Sequence, residues 1–374
     1  MHQFAEVDAE VTDMGFLRFP LMEPHPDVGY FLDTLLQRKE PTRIPLIEYI
    51  INPPNMKRIV EEVLGRTWCP FGPERDLQMR YLDNYIEVFY RLGFDCVRFE
   101  HGVVFKGRQT RVGSNGRAWV DDHRGAIASW EDFERYPWPS GKDVDLFPYE
   151  YISKHLPEGM GIIASSCGGV FEAVKNTLMG LETLSYMLYD DPQLVSATFE
   201  RAGAAIYEFY KQLIGLPGLV GFCQGDDMGF KTQTLVAPDV LREHVLSWHK
   251  KFAQLCHENG LFYFLHSCGN VDAIMEDLIE DVRIDGKHSF EDAIMPVWEF
   301  KRKYGDRIAV LGGVDVDKLA RLSEGDLRAY VRKIIDACAP GGGFAIGSGN
   351  SIPDYVPMEN FLIMLDEALA WGAR

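Results

Sequence analysis

Eight short runs rich in apolar and β-branched residues recur along this 374-residue chain, each separated from the next by a longer amphipathic stretch. They are RIPLIEY from Arg43, CVRFEHG from Cys96, GIIASSCGG from Gly161, VGFCQGDD from Val220, LFYFLHSCGN from Leu261, VRIDGKHS from Val282, RIAVLGGVD from Arg307 and GGFAIGSGN from Gly342. Between them lie helical patterns such as YLDNYIEVFYRLG and PDVLREHVLSWHKKFAQLCHENG. Parallel strands need a crossover long enough to hold a helix, so this alternation points to a parallel sheet. Eight such units predict an α/β fold, a closed (β/α)8 TIM barrel in a single domain over 1–374, with an open doubly wound sheet as the other arrangement of the same elements.

Two segments stand outside the repeat. Residues 1–42 read as an N-terminal arm, polar and interrupted by prolines, followed by a helix in which Phe31, Leu32, Leu35 and Leu36 have helical spacing. Residues 102–140 read as an insertion after the second strand. Its first part alternates and turns at Ser114-Asn115-Gly116 like a β-hairpin, and Trp130, Tyr136, Trp138 and Pro139 are expected to cover the barrel mouth.

Ligands of βα sheets bind at the carboxyl ends of the strands, so those ends are where chemistry is expected. Taken in order they carry Glu48; Glu100 and His101; Ser166 and Cys167; Asp226 and Asp227; His266 and Cys268; Lys287 and His288; Asp315; and Ser348 and Asn350. Burying so many ionisable groups is costly unless they pair or bind something. In LFYFLHSCGN, side chains two apart share a face, so Phe262, Phe264, His266 and Cys268 line up with the two ligand-type residues last. A His and a Cys favour zinc over magnesium or calcium, and a catalytic zinc needs a third protein ligand. Asp226, Asp227, Cys167, His288 and Glu100 are all candidates for it. Adjacent strand residues face opposite ways, so at most one of Asp226 and Asp227 enters the barrel; the other is free to cap a helix. The bland alternative for the pair is a small hydrophobic Cys and a hydrogen-bonded core His.

A net charge of −18 and a pI near 5.0 argue against general binding to nucleic acid or anionic membranes. The seven cysteines are odd in number and scattered, which suggests no disulfide framework. The acidic start lacks the basic and apolar regions of a secretory signal, and no stretch approaches the roughly 20 apolar residues of a membrane span. A reducing cytoplasm is the expected location.

Several of these stretches carry a resemblance. HSCGN, GGVD at Gly312–Asp315, the C-terminal ACAPGGGFAIGSGNSIPDYVPMEN and the opening RKEPTRIPLIEY together resemble the uroporphyrinogen decarboxylase superfamily, from about Asp33 to the end. That superfamily includes cobalamin-linked methyltransferases, and the resemblance implies the (β/α)8 fold. True uroporphyrinogen decarboxylases carry an arginine-rich loop for the substrate carboxylates, whereas the corresponding LIEYIINPPNM has no arginine and places Glu48 there. The methyltransferase branch has a zinc site of the form His-x-Cys with a later Cys. His266 and Cys268 match the first half, and Asn350 stands near where the later cysteine falls.

The resemblance therefore implies a methyltransferase moving a methyl group between a small-molecule substrate and a corrinoid protein, with zinc on His266 and Cys268. Asp226, Asp227 and His288 are the expected catalytic groups, and Glu48, Glu100, Cys167, Asp315 and Asn350 the expected substrate contacts. A homodimer is expected from the family. A decarboxylase of a small acid and a metal-free ligand-binding barrel are the alternatives.

Overall fold

The computed structural model describes residues 18–107, 109–110, 119–120 and 125–371. Its centre is a curled sheet of seven parallel strands in the order β1, β4, β5, β6, β7, β8, β9. These are β1 (Cys96–Glu100), β4 (Gly161–Ser165), β5 (Leu219–Gly225), β6 (Phe262–His266), β7 (Gly286–His288), β8 (Ala309–Leu311) and β9 (Phe344–Ala345). Each strand pairs with the next in sequence of the seven, with helices in most of the crossovers, as in a TIM-like barrel.

The first of the eight runs departs from expectation. It makes no ladder; Leu46 forms an isolated parallel bridge with Ile346, and Ile47 N donates to Ile346 O at 2.9 Å. Pro45 has no N–H to offer and contributes only its carbonyl, which accepts from Ile346 N at 2.9 Å. Toward β1 the run is joined by side chains. Arg43 grips Asp95 through two nitrogens at 2.7 and 2.9 Å at the start of β1, and Arg98 Nη1 donates to Tyr49 O at 2.6 Å near its end. Gly347 is needed on the β9 side, because a Cβ there would stand 1.7 Å from Ile47 O.

Side chains alternate across the sheet as a period of two requires. Phe262 and Phe264 point inward, their rings stacked at 4.0 Å, among Cys96, Ile163, Cys223, Ala309, Leu311 and Ala345. Tyr263 and Leu265 point outward into the larger core between sheet and helices. The helix Val28–Leu36, capped by Asp27 whose carboxylate accepts from Tyr30 N, inserts Phe31 and Leu35 into the inner cluster, so the N-terminal segment is part of the core.

In the insertion, Gln109–Thr110 (β2) pairs antiparallel with Trp119–Val120 (β3); the expected turn at residues 114–116 lies outside the described residues. Trp130 is half-exposed, and Trp138 lies against Arg201 of the helix Pro192–Leu213, on the outer helical layer. No described helix is long and apolar enough to cross a membrane.

Candidate metal centre

Asp227, His266 and Cys268 meet at the carboxyl ends of β5 and β6, with one donor atom from each lying within 4.8 Å of the others. His266 Nε2 stands 3.4 Å from Cys268 Sγ and 3.6 Å from Asp227 Oδ1. The backbone sets this arrangement: Gly225 pairs with His266, Asp226 N donates to His266 O at 2.9 Å, and Cys268 N donates to Asp227 Oδ1 at 2.8 Å. Asp227 enters the cluster while its neighbour turns away. Asp226 is fully buried, accepting from Phe171 N at 3.0 Å and Glu172 N at 2.8 Å, and it meets His249 Nε2 at 2.9 Å. It caps the start of the helix after β4, and these three bonds occupy its carboxylate.

A hydrogen-bond chain settles the state of His266. His288 Nε2 lies 3.0 Å from the carbonyl oxygen of Ser348, an atom that can only accept, so that nitrogen carries the proton. Burial lowers the His288 pKa to about 3, which leaves the ring neutral and its Nδ1 an acceptor. His266 Nδ1, 2.7 Å away, must then be the donor. Burial and then the neighbouring His288 hold the His266 pKa well below the usual histidine range, so its Nε2 is left with a bare lone pair facing the thiol and the carboxylate. His288, expected as a catalytic group, has both nitrogens committed to orienting His266.

Tyr49 fixes the plane of the same ring. It stacks on His266 at 3.8 Å and 9°, and the Arg98 guanidinium covers its other face at 3.8 Å. Gly225 makes the room, since a Cβ there would meet the Tyr49 hydroxyl at 2.0 Å. Glu48 sits beneath, with Oε1 accepting from Ser348 Oγ at 2.6 Å and Oε2 from Ser348 N at 3.1 Å. Burial raises its pKa to about 7. Its bonds hold the segment whose carbonyl orients His288, a different task from the expected substrate contact.

The family model for uroporphyrinogen decarboxylase (URO-D) matches residues 131–371. The chain belongs to the URO-D family. Among solved structures it is similar to a methyltransferase from Methanosarcina mazei, with a TM-score of 0.63 and 16% identity over 91% of this chain and 98% of that one. It is also similar to a B12-independent methionine synthase from a Shewanella species, with a TM-score of 0.49 and 14% identity over 89% and 94% of the two chains. At 16% identity the likeness to the Methanosarcina structure is one of fold. No curated protein matches.

This URO-D chain has a donor set suited to a borderline-soft divalent ion. It offers one imidazole nitrogen, one sulfur and one carboxylate oxygen, and the 3.4 and 3.6 Å separations are roughly the edges of a tetrahedron with metal–ligand bonds of about 2.0–2.3 Å. Three protein ligands leave the fourth position open. Burial, and then the Asp227 charge, push the Cys268 thiol up to about 12, so a bound cation is what would hold the sulfur as thiolate at neutral pH. Asn350 Nδ2 lies 3.2 Å from that sulfur and Ser289 Oγ 3.6 Å, both placed as hydrogen-bond donors to it.

The remaining expected site residues have other partners. Glu100 pairs with Arg98 at 2.7 Å. Cys167 lines a separate cavity with Val104, Phe105, Glu172 and Asn176, and burial raises its thiol to about 11. Asp315 is a helix cap, accepting from Asp317 N, Lys318 N and Asp292 N, which accounts for its carboxylate without a substrate. Sequence reasoning missed Glu172, whose carboxyl is raised to about 8 by burial and by Asp226 and Asp227. It lies inside a helical stretch, and no strand-end pattern marks it.

Proposed function

We propose that this URO-D family chain is a methyltransferase that moves a methyl group between a small substrate and a corrinoid protein, with zinc held by Asp227, His266 and Cys268. The observation that carries the metal assignment is the forced lone pair on His266 Nε2, aimed at a sulfur and a carboxylate in one cluster. The Methanosarcina methyltransferase of the same fold supports the reaction class. Bound there, zinc would act as a Lewis acid on the heteroatom that carries or receives the methyl group.

The protein's own groups do the rest. Tyr49 and His288 fix the imidazole in plane and tautomer. Asn350 and Ser289 donate to the Cys268 sulfur, spreading its negative charge. Tyr49, stacked on His266 and itself buried beneath Arg98, keeps water from that face of the imidazole.

Metal analysis of protein purified without chelator is expected to find about one zinc per chain, lost in Cys268→Ser together with methyl transfer to cob(I)alamin. A metal-free protein at full activity would overturn this mechanism. Release of carbon dioxide from a small acid with no corrinoid requirement would favour the decarboxylase reading instead.

A further inference from the structure

Lys287 lies between Gly286 and His288 on β7, so it points to the opposite face of the strand from His288. It does not reach water: the residue is 3% exposed. Its Nζ donates to Ser289 O at 2.7 Å and lies 3.4 Å from both Ser267 O and His288 O, with the Phe290 ring 4.7 Å away. None of these partners is a carboxylate. A buried ammonium held only by carbonyl dipoles and an aromatic face is an expensive thing to keep.

The three carbonyls belong to the places where β6 and β7 end. Ser267 separates His266 from Cys268, and its N–H makes the last bond between the two strands, to His288 O at 3.0 Å. Beyond that bond the strands part. Ser289 then takes a φ of 155°, which L residues seldom adopt, and this turns its Oγ toward Cys268 Sγ. Three carbonyl oxygens converging on one spot repel one another unless a donor with three hydrogens stands among them. An ammonium is the side-chain group of that shape.

We propose that Lys287 is a positioning residue of the metal centre, tying the ends of β6 and β7 together so that Cys268 Sγ and Ser289 Oγ stay beside His266 Nε2 and Asp227. This rests on the metal reading above. Its charge also acts on Cys268 and Asp227, the two ligands that are anionic when metal is bound, and so offsets their repulsion. The side chain borders a small cavity with Met275, Ile294, Met295, Phe290 and Phe300 among its walls, beside Asn270, Asp272 and Glu291, and the apolar walls can pack a methionine. Lys287→Met therefore removes the charge and the three donors at similar volume.

The test is titration of the metal-free protein with cobalt(II) alone, read by affinity and by the near-ultraviolet sulfur-to-cobalt absorption. Wild type is expected to bind one equivalent with that absorption. Lys287→Met is expected to bind about 10–100-fold more weakly, as for lost groups behind a metal ligand, with the sulfur band reduced. Wild-type affinity and an unchanged band in the variant would overturn the role of Lys287 and leave the metal centre standing. No cobalt binding by wild type would overturn the metal centre itself. Should Lys287→Met fail to fold, Lys287→Gln keeps two N–H donors without the charge; a tenfold loss supports the proposal and none overturns it.

Discussion

His288 is worth more to this site neutral than charged, and that preference has a measurable consequence. Its pKa is about 3 in the folded chain, against an ordinary value near 6.5 when unfolded. Between those limits the unfolded state binds a proton that the native state refuses, so stability is full above about pH 6.5 and falls as pH drops toward 3. His266 acts in the same direction. Denaturant titrations of metal-free protein at pH 7, 6 and 5 should show His288→Gln losing stability less steeply than wild type, by up to about 1.4 kcal/mol per pH unit. Equal slopes would mean that His288 is protonated in the fold. Asp226 makes the complementary case. It holds two backbone N–H groups and His249 in a fully buried spot, so Asp226→Ala should cost about 2–4 kcal/mol while leaving zinc affinity within twofold of wild type. A large loss of zinc with little loss of stability would return Asp226 to the ligand set. The neighbouring pair shows a limit of sequence reading. That only one aspartate enters the barrel follows from strand alternation, but which one depends on β5 pairing Gly225 with His266, a register set between strands.

At the scale of elements, β6 was legible because its signal is local: a period of two carried Phe262, Phe264 and His266 onto one face, and the inner cluster contains those phenylalanines. The cap at Asp315 was less legible, since an acidic residue after a strand reads equally as ligand or as N-cap of the helix Val316–Arg321. The first run was read as a full strand, and its sequence gives no sign that its seam with β1 would be stitched by Arg43 and Arg98 instead of a backbone ladder. That seam depends on how far the curl of the sheet brings β9 and β1 toward each other, which no short stretch encodes. On the β9 side the approach is closest at Gly347. Gly347→Ala should therefore destabilise by about 1–3 kcal/mol, the usual cost of forcing an atom into a packed contact. Gly325, in the first turn of a helix with open space at its Cβ, is the control, and Ala there should stabilise by about 0.4–1 kcal/mol. Equal effects at both glycines in thermal unfolding would remove the close-approach account.

Across the whole molecule, a plugged floor and an ionisable mouth divide the work. The helix Val28–Leu36 fills the amino end of the sheet with Phe31 and Leu35, while the carboxyl ends carry Asp227, His266, Cys268 and Asn350. The family was readable from ordered motifs, and the parallel α/β sheet with helical crossovers from the alternation of short apolar runs and amphipathic stretches. The third ligand and the orientation chain through His288 to Ser348 were not, because they join residues up to 60 positions apart. The central claim is a single-sulfur metal site, and X-ray absorption at the zinc edge of the loaded protein tests it most directly. One sulfur at about 2.3 Å with nitrogen and oxygen neighbours at about 2.0–2.2 Å is the predicted shell. Two sulfurs, or none, would contradict it.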